Sequence, residues 1–206
     1  MNHISENNII AGNYYDKYAS NNPIARRLMD GFFASFDQLL SMTPDLNVHE
    51  IGCGEGHLSA RIAATGRAVH SSDFSTAVIQ SAKQLNDLPN VTYEATSVYE
   101  LTAEKHQAPI IVCCEVLEHL EEPEKALEVI ARLAQGHVIF SVPREPIWRV
   151  LNMVRGKYWS DLGNTPGHLQ NWSTAAFRTM INRHFEIIEL KKPLPWTMVL
   201  CKTRKL

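Results

Sequence analysis

The chain has few cysteines and no long apolar run, and these two absences argue against a disulfide-rich protein and a transmembrane protein. Its four cysteines include no Cys-x-x-Cys pair, so the sequence indicates neither a disulfide framework nor a zinc site. The longest apolar run, residues 108–114, is too short to span a bilayer, and residues 1–18 lack the apolar core of a signal peptide. We therefore expect a reduced, cytoplasmic protein with no stable insertion into a membrane.

A marked excess of charge is absent too. Lys and Arg number 20 against 22 Asp and Glu, and the formal net charge of -2 gives no signature of binding to nucleic acid or to an anionic membrane. Internal repeats and low-complexity tracts are missing, and nothing indicates an oligomeric state. With 206 residues, 45% of them hydrophobic, the composition predicts one ordinary globular domain.

Strand-like and helix-like segments alternate along most of the chain. Strands are predicted at 46–48, 68–73, 91–93, 110–114, 138–142, 185–190 and 196–201. Helices are predicted to begin at Asn22, Ser75, Pro123 and Ser173. Gly136 is expected to end the helix that starts at Pro123. The alternation predicts an α/β fold, in which a mostly parallel sheet carries helices on both faces.

The most informative segment is a glycine-rich turn directly after the first predicted strand. Residues 49–58 read His-Glu-Ile-Gly-Cys-Gly-Glu-Gly-His-Leu, with three glycines at alternate positions. Glycine allows a tight turn and close approach of a ligand, and the amides that open the next helix attract negative groups. Glu50 precedes the turn, and Asp73 ends the second strand, where a carboxylate can accept hydrogen bonds from a ribose diol. This combination predicts a site for a nucleotide-like cofactor.

The spacing of the glycines separates the possible cofactors. A dinucleotide site requires Gly-x-Gly-x-x-Gly, but His57 occupies the third-glycine position here. A ligand with a ribose and no pyrophosphate therefore fits better than NAD, which makes a nicotinamide-linked oxidoreductase the less favoured alternative. A cofactor-binding protein without turnover is a further alternative, because no general base is obvious.

These residues together resemble the class I S-adenosylmethionine-dependent methyltransferases, particularly the type 11 group that acts on small molecules. The resemblance rests on residues 50–56, residues 73–75, and residues 113–120 with the Pro123 helix that follows. It implies a Rossmann-like seven-stranded sheet with an antiparallel last strand, within a single methyltransferase domain over residues 1–206. It also implies direct methyl transfer, without a metal, from S-adenosylmethionine to oxygen, nitrogen or carbon of a small-molecule acceptor, leaving S-adenosylhomocysteine.

The resemblance also implies roles for individual residues. Gly52 would approach the cofactor, Glu50 would hold its amino-acid end, and Asp73 would bind its ribose hydroxyls. Phe74 would lie against the adenine, and Ser97 stands where the family has an acid for the adenine amino group. The implied cofactor-binding residues are Tyr18, Glu50, Gly52, Cys53, Gly54, Asp73, Phe74, Ser97, Val98, Cys114 and Glu115.

Acceptor chemistry is expected beside the end of the fourth strand, where the resemblance places the backbone of Cys114 and Glu115 next to the sulfonium. His119 lies near that point, and His168 lies in an irregular stretch further on. Histidine titrates near neutral pH, so either ring could remove a proton from the acceptor. Either could instead have a structural role.

Two flanking segments are expected to cover the site. Residues 1–42 would supply the first helix and a lid, in which tyrosines including Tyr18 either close over the methionine end or pack against the helix. Residues 143–172 would form an insert on the acceptor side, with three of the four tryptophans. The insert carries an apolar stripe bordered by basic residues, which has two interpretations. It is either a lid helix packed on the core, or part of a site for an anionic or amphipathic acceptor, which could enter the site from a membrane surface. The stripe consists of Ile147, Val150, Leu151 and Val154.

Overall fold

The computed structural model describes residues 5–6, 9–10, 22–156 and 158–204. A two-residue antiparallel ladder pairs Ser5–Glu6 with Ile9–Ile10. The strands of the main sheet are β1 Val48–Ile51, β2 Val69–Asp73, β3 Val91–Ala95, β4 Ala108–Cys114, β5 Ala134–Pro143, β6 Phe185–Lys191 and β7 Trp196–Thr203. The helices are α1 Pro23–Ser41, α2 His57–Ala63, α3 Thr76–Leu85, α4 Ala103–His106, α5 Pro123–Leu133, α6 Ile147–Val154 and α7 Thr174–Ile181. Short 3₁₀ turns occupy Val98–Glu100, Leu117–His119 and Trp159–Asp161.

The seven strands lie in the order β3-β2-β1-β4-β5-β7-β6. Strand β7 runs antiparallel to both of its neighbours, while the pairs from β3 to β5 are parallel. The predicted fold class, a Rossmann-like and mostly parallel sheet with an antiparallel last strand, is therefore confirmed. The carboxyl ends of parallel strands share one edge, so the glycine turn after β1 and Asp73 at the end of β2 lie side by side.

The core occupies both faces of this sheet. On one face, Phe36 of α1 and Ile62 of α2 are fully buried in the same cluster as Ile110 of β4. On the other face, Leu127 of α5 packs in a cluster with Ile111. Successive strand residues point to opposite faces, so β4 is apolar throughout because it is covered on both sides.

The predicted helix starts are confirmed by their caps. The side chain of Asn22 accepts a hydrogen bond from the backbone N–H of Ile24, and Ser75 and Ser173 cap α3 and α7 in the same way. Pro123 occupies the first turn of α5. Among the described residues, none of the helices has the length and hydropathy of a membrane span.

The prediction that Gly136 ends a helix is wrong. Helix α5 ends at Leu133, and Gly136 lies inside β5. A Cβ at this position would lie 3.0 Å from the carbonyl oxygen of Pro109 in the neighbouring strand. Glycine is therefore used here for the close approach of two strands rather than for a helix terminus.

Candidate active site

The three glycines of the turn between β1 and α2 all adopt the left-handed conformation, but the space beside them differs. Their φ angles are 73° at Gly52, 53° at Gly54 and 79° at Gly56. A Cβ at Gly52 would collide with Val116, and one at Gly56 would lie 2.6 Å from the hydroxyl of Tyr93. A Cβ at Gly54 would have no other heavy atom of the described residues within 4 Å. Packing therefore requires two of the glycines, whereas the space above Gly54 is open to a ligand.

Asp73 faces the glycine turn from the carboxyl end of β2. Its Oδ2 accepts a hydrogen bond from the N–H of Gly54 at 3.1 Å, and its Oδ1 accepts one from the N–H of Ser75 at 3.1 Å. Burial raises the pKa of this carboxyl, while the backbone hydrogen bonds act in the opposite direction. Each carboxylate oxygen can accept a further bond, so Asp73 can still bind a diol.

Glu50 lies deeper, with 3% of its surface exposed on β1. Burial raises its pKa to about 8, and the negative charge of Asp73 adds to the effect, while a hydrogen bond from Ser59 opposes it. The hydroxyl of Ser59 in turn accepts a bond from Ser71 Oγ at 2.9 Å. The raised pKa favours the protonated form of Glu50, and an approaching cation would favour its ionisation.

The residues expected around the adenine lie in three different settings. Phe74 is 38% exposed, so part of its surface is available to a ligand. Ser97 caps the 3₁₀ turn Val98–Glu100, where its Oγ accepts from the N–H of Tyr99 at 3.4 Å and its hydroxyl hydrogen can still donate. The side chain of Val98 is buried in the core, so any contact with a ligand must come from its backbone.

The two cysteines of the predicted cofactor set are neutral thiols. Cys53 is 7% exposed and its Sγ donates to the carbonyl oxygen of Gly54 at 3.5 Å. Burial raises the pKa of both Cys53 and Cys114 far above the usual value. These side chains shape the site and supply no thiolate.

Glu115, directly after β4, is held by two other strands. Its φ of 59° is left-handed, a conformation that costs a non-glycine residue about 1–2 kcal/mol. Its Oε1 accepts a bond from Ser141 Oγ at 3.0 Å, and its Oε2 accepts one from the indole N–H of Trp196 at 2.6 Å. The backbone N–H of Glu115 donates to the carbonyl of Ser141 at 3.0 Å. Sequence reasoning missed both partners, because they come from β5 and β7.

The two candidate bases, 49 positions apart in the sequence, come together in the fold. The ring centroids of His119 and His168 lie 5.0 Å apart, at an interplanar angle of 82°. Nδ1 of His119 lies 2.9 Å from the carbonyl oxygen of Gly167. A carbonyl can only accept, so this nitrogen carries the hydrogen and Nε2 keeps a lone pair in the neutral ring. His119 thus has the tautomer that a proton acceptor needs.

A row of aromatic rings continues from these histidines, and sequence reasoning did not identify it. Trp148 of α6 lies 5.8 Å from His168 and 5.7 Å from Trp196, and Phe32 of α1 meets Trp196 edge-on at 5.1 Å. The indole N–H of Trp148 donates to Thr165 Oγ1 at 2.9 Å, which connects α6 to a later part of the insert. Three of the four tryptophans lie in residues 143–172, and this was the feature of the sequence that could have indicated the row of aromatic rings. Tyr18, predicted to bind the cofactor, lies outside the described residues.

Comparison with known families agrees with this geometry. Residues 49–141, a little under half of the chain, match the family model described as "Methyltransferase domain". The matched segment contains the glycine turn, Asp73, Glu115 and His119. The resemblance to the type 11 methyltransferases is therefore confirmed over this central segment.

Curated relatives match the same region. A ubiquinone biosynthesis O-methyltransferase of Alkalilimnicola ehrlichii is 36% identical over 97 residues, covering 45% of this chain and 39% of the relative. The corresponding enzyme of Nitrosospira multiformis is 32% identical over 118 residues, covering 54% of this chain and 49% of the relative. The chain thus matches less than half the length of these curated relatives.

Solved structures share the fold over nearly the whole chain. Magnesium protoporphyrin IX methyltransferase from Synechocystis PCC 6803, with bound S-adenosylhomocysteine, has a TM-score of 0.68 at 21% identity, covering 93% of this chain and 91% of the other. N-methyltransferase NodS from Bradyrhizobium japonicum WM9 has a TM-score of 0.67 at 18% identity, covering 90% and 99%. At these identities the likeness establishes the fold.

Proposed function

We propose that this chain transfers a methyl group from S-adenosylmethionine to a small-molecule acceptor by direct displacement. The observation that carries the proposal is the open, left-handed turn at Gly54, whose N–H is bonded to the buried carboxylate of Asp73. This arrangement offers a close backbone approach next to a diol acceptor, which suits a ribose without a pyrophosphate. Residues 1–206 would form one methyltransferase domain.

The residues fit the cofactor from one end to the other. Asp73 would hold the ribose diol, Phe74 would cover the adenine, and Glu50 would ionise beside the amino-acid end. When bound, S-adenosylmethionine supplies a methyl group already activated by a positively charged sulfur. Glu115 is held by Ser141 and Trp196, and it would keep the backbone at the end of β4 in one conformation beside the reacting centre. Positioning would therefore supply much of the rate.

His119 is the residue we assign to proton removal from the acceptor. Nδ1 of His119 faces the carbonyl oxygen of Gly167, so in the neutral ring Nε2 is the nitrogen that can accept a proton, and His168 packs edge-on against the ring. General-base catalysis of this kind contributes about 10²–10⁴-fold where the acceptor must lose a proton. For an acceptor that is already nucleophilic, His119 and His168 would act in binding.

The acceptor is proposed to be amphipathic. In the insert, Val150 is 48% and Val154 is 78% exposed, and Leu162 is 69% exposed nearby in sequence. The apolar stripe of α6 is therefore only partly covered by the described core, while Trp148 continues it inward to the aromatic row. Such a surface suits a small molecule with an aromatic or aliphatic body.

Isothermal titration with S-adenosylhomocysteine tests the cofactor site. We expect 1:1 binding by the native chain and a loss of about tenfold or more in Asp73→Asn, because the diol loses its charged acceptor. Asp87→Asn, which makes the same change at an exposed position, is the matched control and should bind normally. Absence of binding by the native chain, or equal binding by both variants, contradicts the proposal.

Turnover needs a separate measurement. Tritiated methyl groups from S-adenosylmethionine should enter low-mass components of a cell extract with the native chain, and not with Asp73→Asn. Cofactor binding without any labelling would instead favour the non-catalytic alternative. Fluorescence titration with NADH addresses the oxidoreductase alternative, for which we expect no saturable binding.

A further inference from the structure

A second cluster of chemically active side chains lies away from the proposed cofactor site. His49, His70 and Thr92 are neighbours in the register of β1, β2 and β3, so their side chains share one face of the sheet. His106, the last residue of α4, reaches the same place from the connection into β4. An open cavity of about 320 Å³ lies here, lined by residues at the amino ends of these strands. The glycine turn and Asp73 lie at the opposite, carboxyl edge.

Two histidine nitrogens in this cluster face a single carboxylate oxygen. His70 Nε2 lies 3.3 Å and His106 Nε2 lies 3.2 Å from Glu94 Oε2. One ligand atom from each of the three side chains lies within 4.8 Å of the other two. Zinc binds histidine nitrogen and carboxylate oxygen at about 2.0–2.2 Å, so two ligands at the tetrahedral angle are about 3.3–3.5 Å apart. The two separations nearly match that spacing, and in the absence of a metal the one from His106 is a hydrogen bond to Glu94.

His70 supplies the observation that hydrogen bonding alone does not explain. Its Nε2 is buried and, among the described residues, has no hydrogen-bond partner, although Glu94 Oε2 lies 3.3 Å away. Its Nδ1 lies 3.0 Å from Thr92 Oγ1. A ring that donates from Nδ1 to this hydroxyl directs the lone pair of Nε2 toward Glu94. A cation between these two groups would remove the repulsion.

The surrounding groups also suit metal ligands. Nδ1 of His106 lies 3.1 Å from the carbonyl oxygen of Thr102, to which it can donate when Nε2 is a ligand. The backbone N–H of Thr102 lies 2.9 Å from the same nitrogen and donates to it when the hydrogen of the ring is on Nε2.

We propose that His70, Glu94 and His106 form a binding site for a divalent transition-metal ion such as Zn²⁺. The metal would join β2, β3 and the end of α4, at the edge of the sheet opposite the proposed cofactor site. His49 is not a ligand in this site, because its nitrogens already contact the carbonyl of His106 and the hydroxyl of Ser72, each at 2.9 Å. Because the site lies away from the proposed cofactor site, this proposal does not depend on methyl transfer.

The test is a Zn²⁺ titration of tag-free, chelator-stripped protein in competition with a chromophoric chelator. The native chain should bind one Zn²⁺ and show a higher Tm with the metal than in EDTA. His70→Gln and Glu94→Gln should each lose more than about 100-fold in affinity, because removing a ligand costs more than removing an outer-shell partner. Thermal unfolding in EDTA shows that each variant is folded. Of the two variants, Glu94→Gln should disturb the fold less, since the Glu94 side chain is 42% exposed.

The control separates this site from the histidines of the candidate active site, where Glu118, His119 and His168 also have ligand atoms within 4.8 Å of one another. A double variant, His119→Gln with His168→Gln, should retain the Zn²⁺ affinity of the native chain. Loss of binding in this double variant but not in Glu94→Gln would overturn the proposal. Absence of binding by the native chain at about 100 μM free Zn²⁺ would overturn it as well.

Discussion

Two glycines of the same turn should respond in different ways to the addition of one methyl group. Gly52→Ala places a Cβ against Val116, whereas Gly54→Ala places it in open space. Both positions have left-handed φ, at 73° and 53°. We expect Gly52→Ala to damage the fold and Gly54→Ala to damage cofactor binding.

The magnitudes follow from the two environments. The left-handed conformation costs alanine about 1–2 kcal/mol at either position. Overpacking against Val116 adds about 1–3 kcal/mol at Gly52, so the total loss in the free energy of unfolding is about 2–5 kcal/mol there. Gly54→Ala should lose only the first amount. Its methyl group would occupy the space proposed for the cofactor and weaken S-adenosylhomocysteine binding by more than about tenfold, or 1.4 kcal/mol.

Chemical denaturation measures the first effect, and isothermal titration measures the second. Val116→Ala removes the atoms that a Cβ at Gly52 would strike, so the double variant with Gly52→Ala should lose less stability than the sum of the two single variants. Equal stability losses at Gly52 and Gly54 would show that packing does not distinguish the two positions. A folded Gly54→Ala chain that binds S-adenosylhomocysteine as tightly as the native chain would refute the proposed cofactor position.

Other consequences concern charge, capping and a buried hydrogen bond. Glu50 has a pKa of about 8 in the folded chain and 4.5 as its ordinary value, so the folded chain holds the proton more tightly than the unfolded chain. The free energy of unfolding should therefore fall by on the order of a few kcal/mol as pH rises between these two values. Denaturation at several pH values checks this, and Glu50→Gln should remove that part of the slope. Ser75→Ala should lower the free energy of unfolding by about 1 kcal/mol, because α3 loses its cap, and Ser173→Ala should give a similar loss at α7. Unchanged denaturation midpoints would contradict the capping assignment. Trp196→Phe should cost about 1–3 kcal/mol, because the Glu115 carboxylate loses a 2.6 Å bond, and a neutral result would mean that water replaces the indole N–H.

The sequence was sufficient for the parts of the fold that depend on local chemistry. Ser75 and Ser173 were recognised as helix caps, since the cap bond spans only three residues. The facing positions of Asp73 and the glycine turn could also be predicted, because adjacent parallel strands bring their carboxyl ends to one edge. Gly136 was misread, because the neighbour that requires a glycine there is Pro109, on another strand.

The proposed site depended in part on contacts that no local pattern encodes. His119 and His168 were identified as separate candidates, and only the fold of the insert brings their rings to 5.0 Å. Trp196 was identified only as the start of a strand, although its indole holds Glu115. The partners in each pair are far apart in the sequence, so their contact requires the tertiary structure.

The sequence by itself determined the order of the seven main strands and of most of the helices, the caps of several helices and the glycine turn, because backbone geometry and hydrophobic periodicity act over a few residues. Only the tertiary structure decided which side chains meet across the sheet. Strand register placed His70 beside Thr92 and brought Glu94 to the same cluster, and the antiparallel β7 brought Trp196 to Glu115. Register depends on the packing of the whole sheet, which is why these clusters could not be read from spacing along the chain.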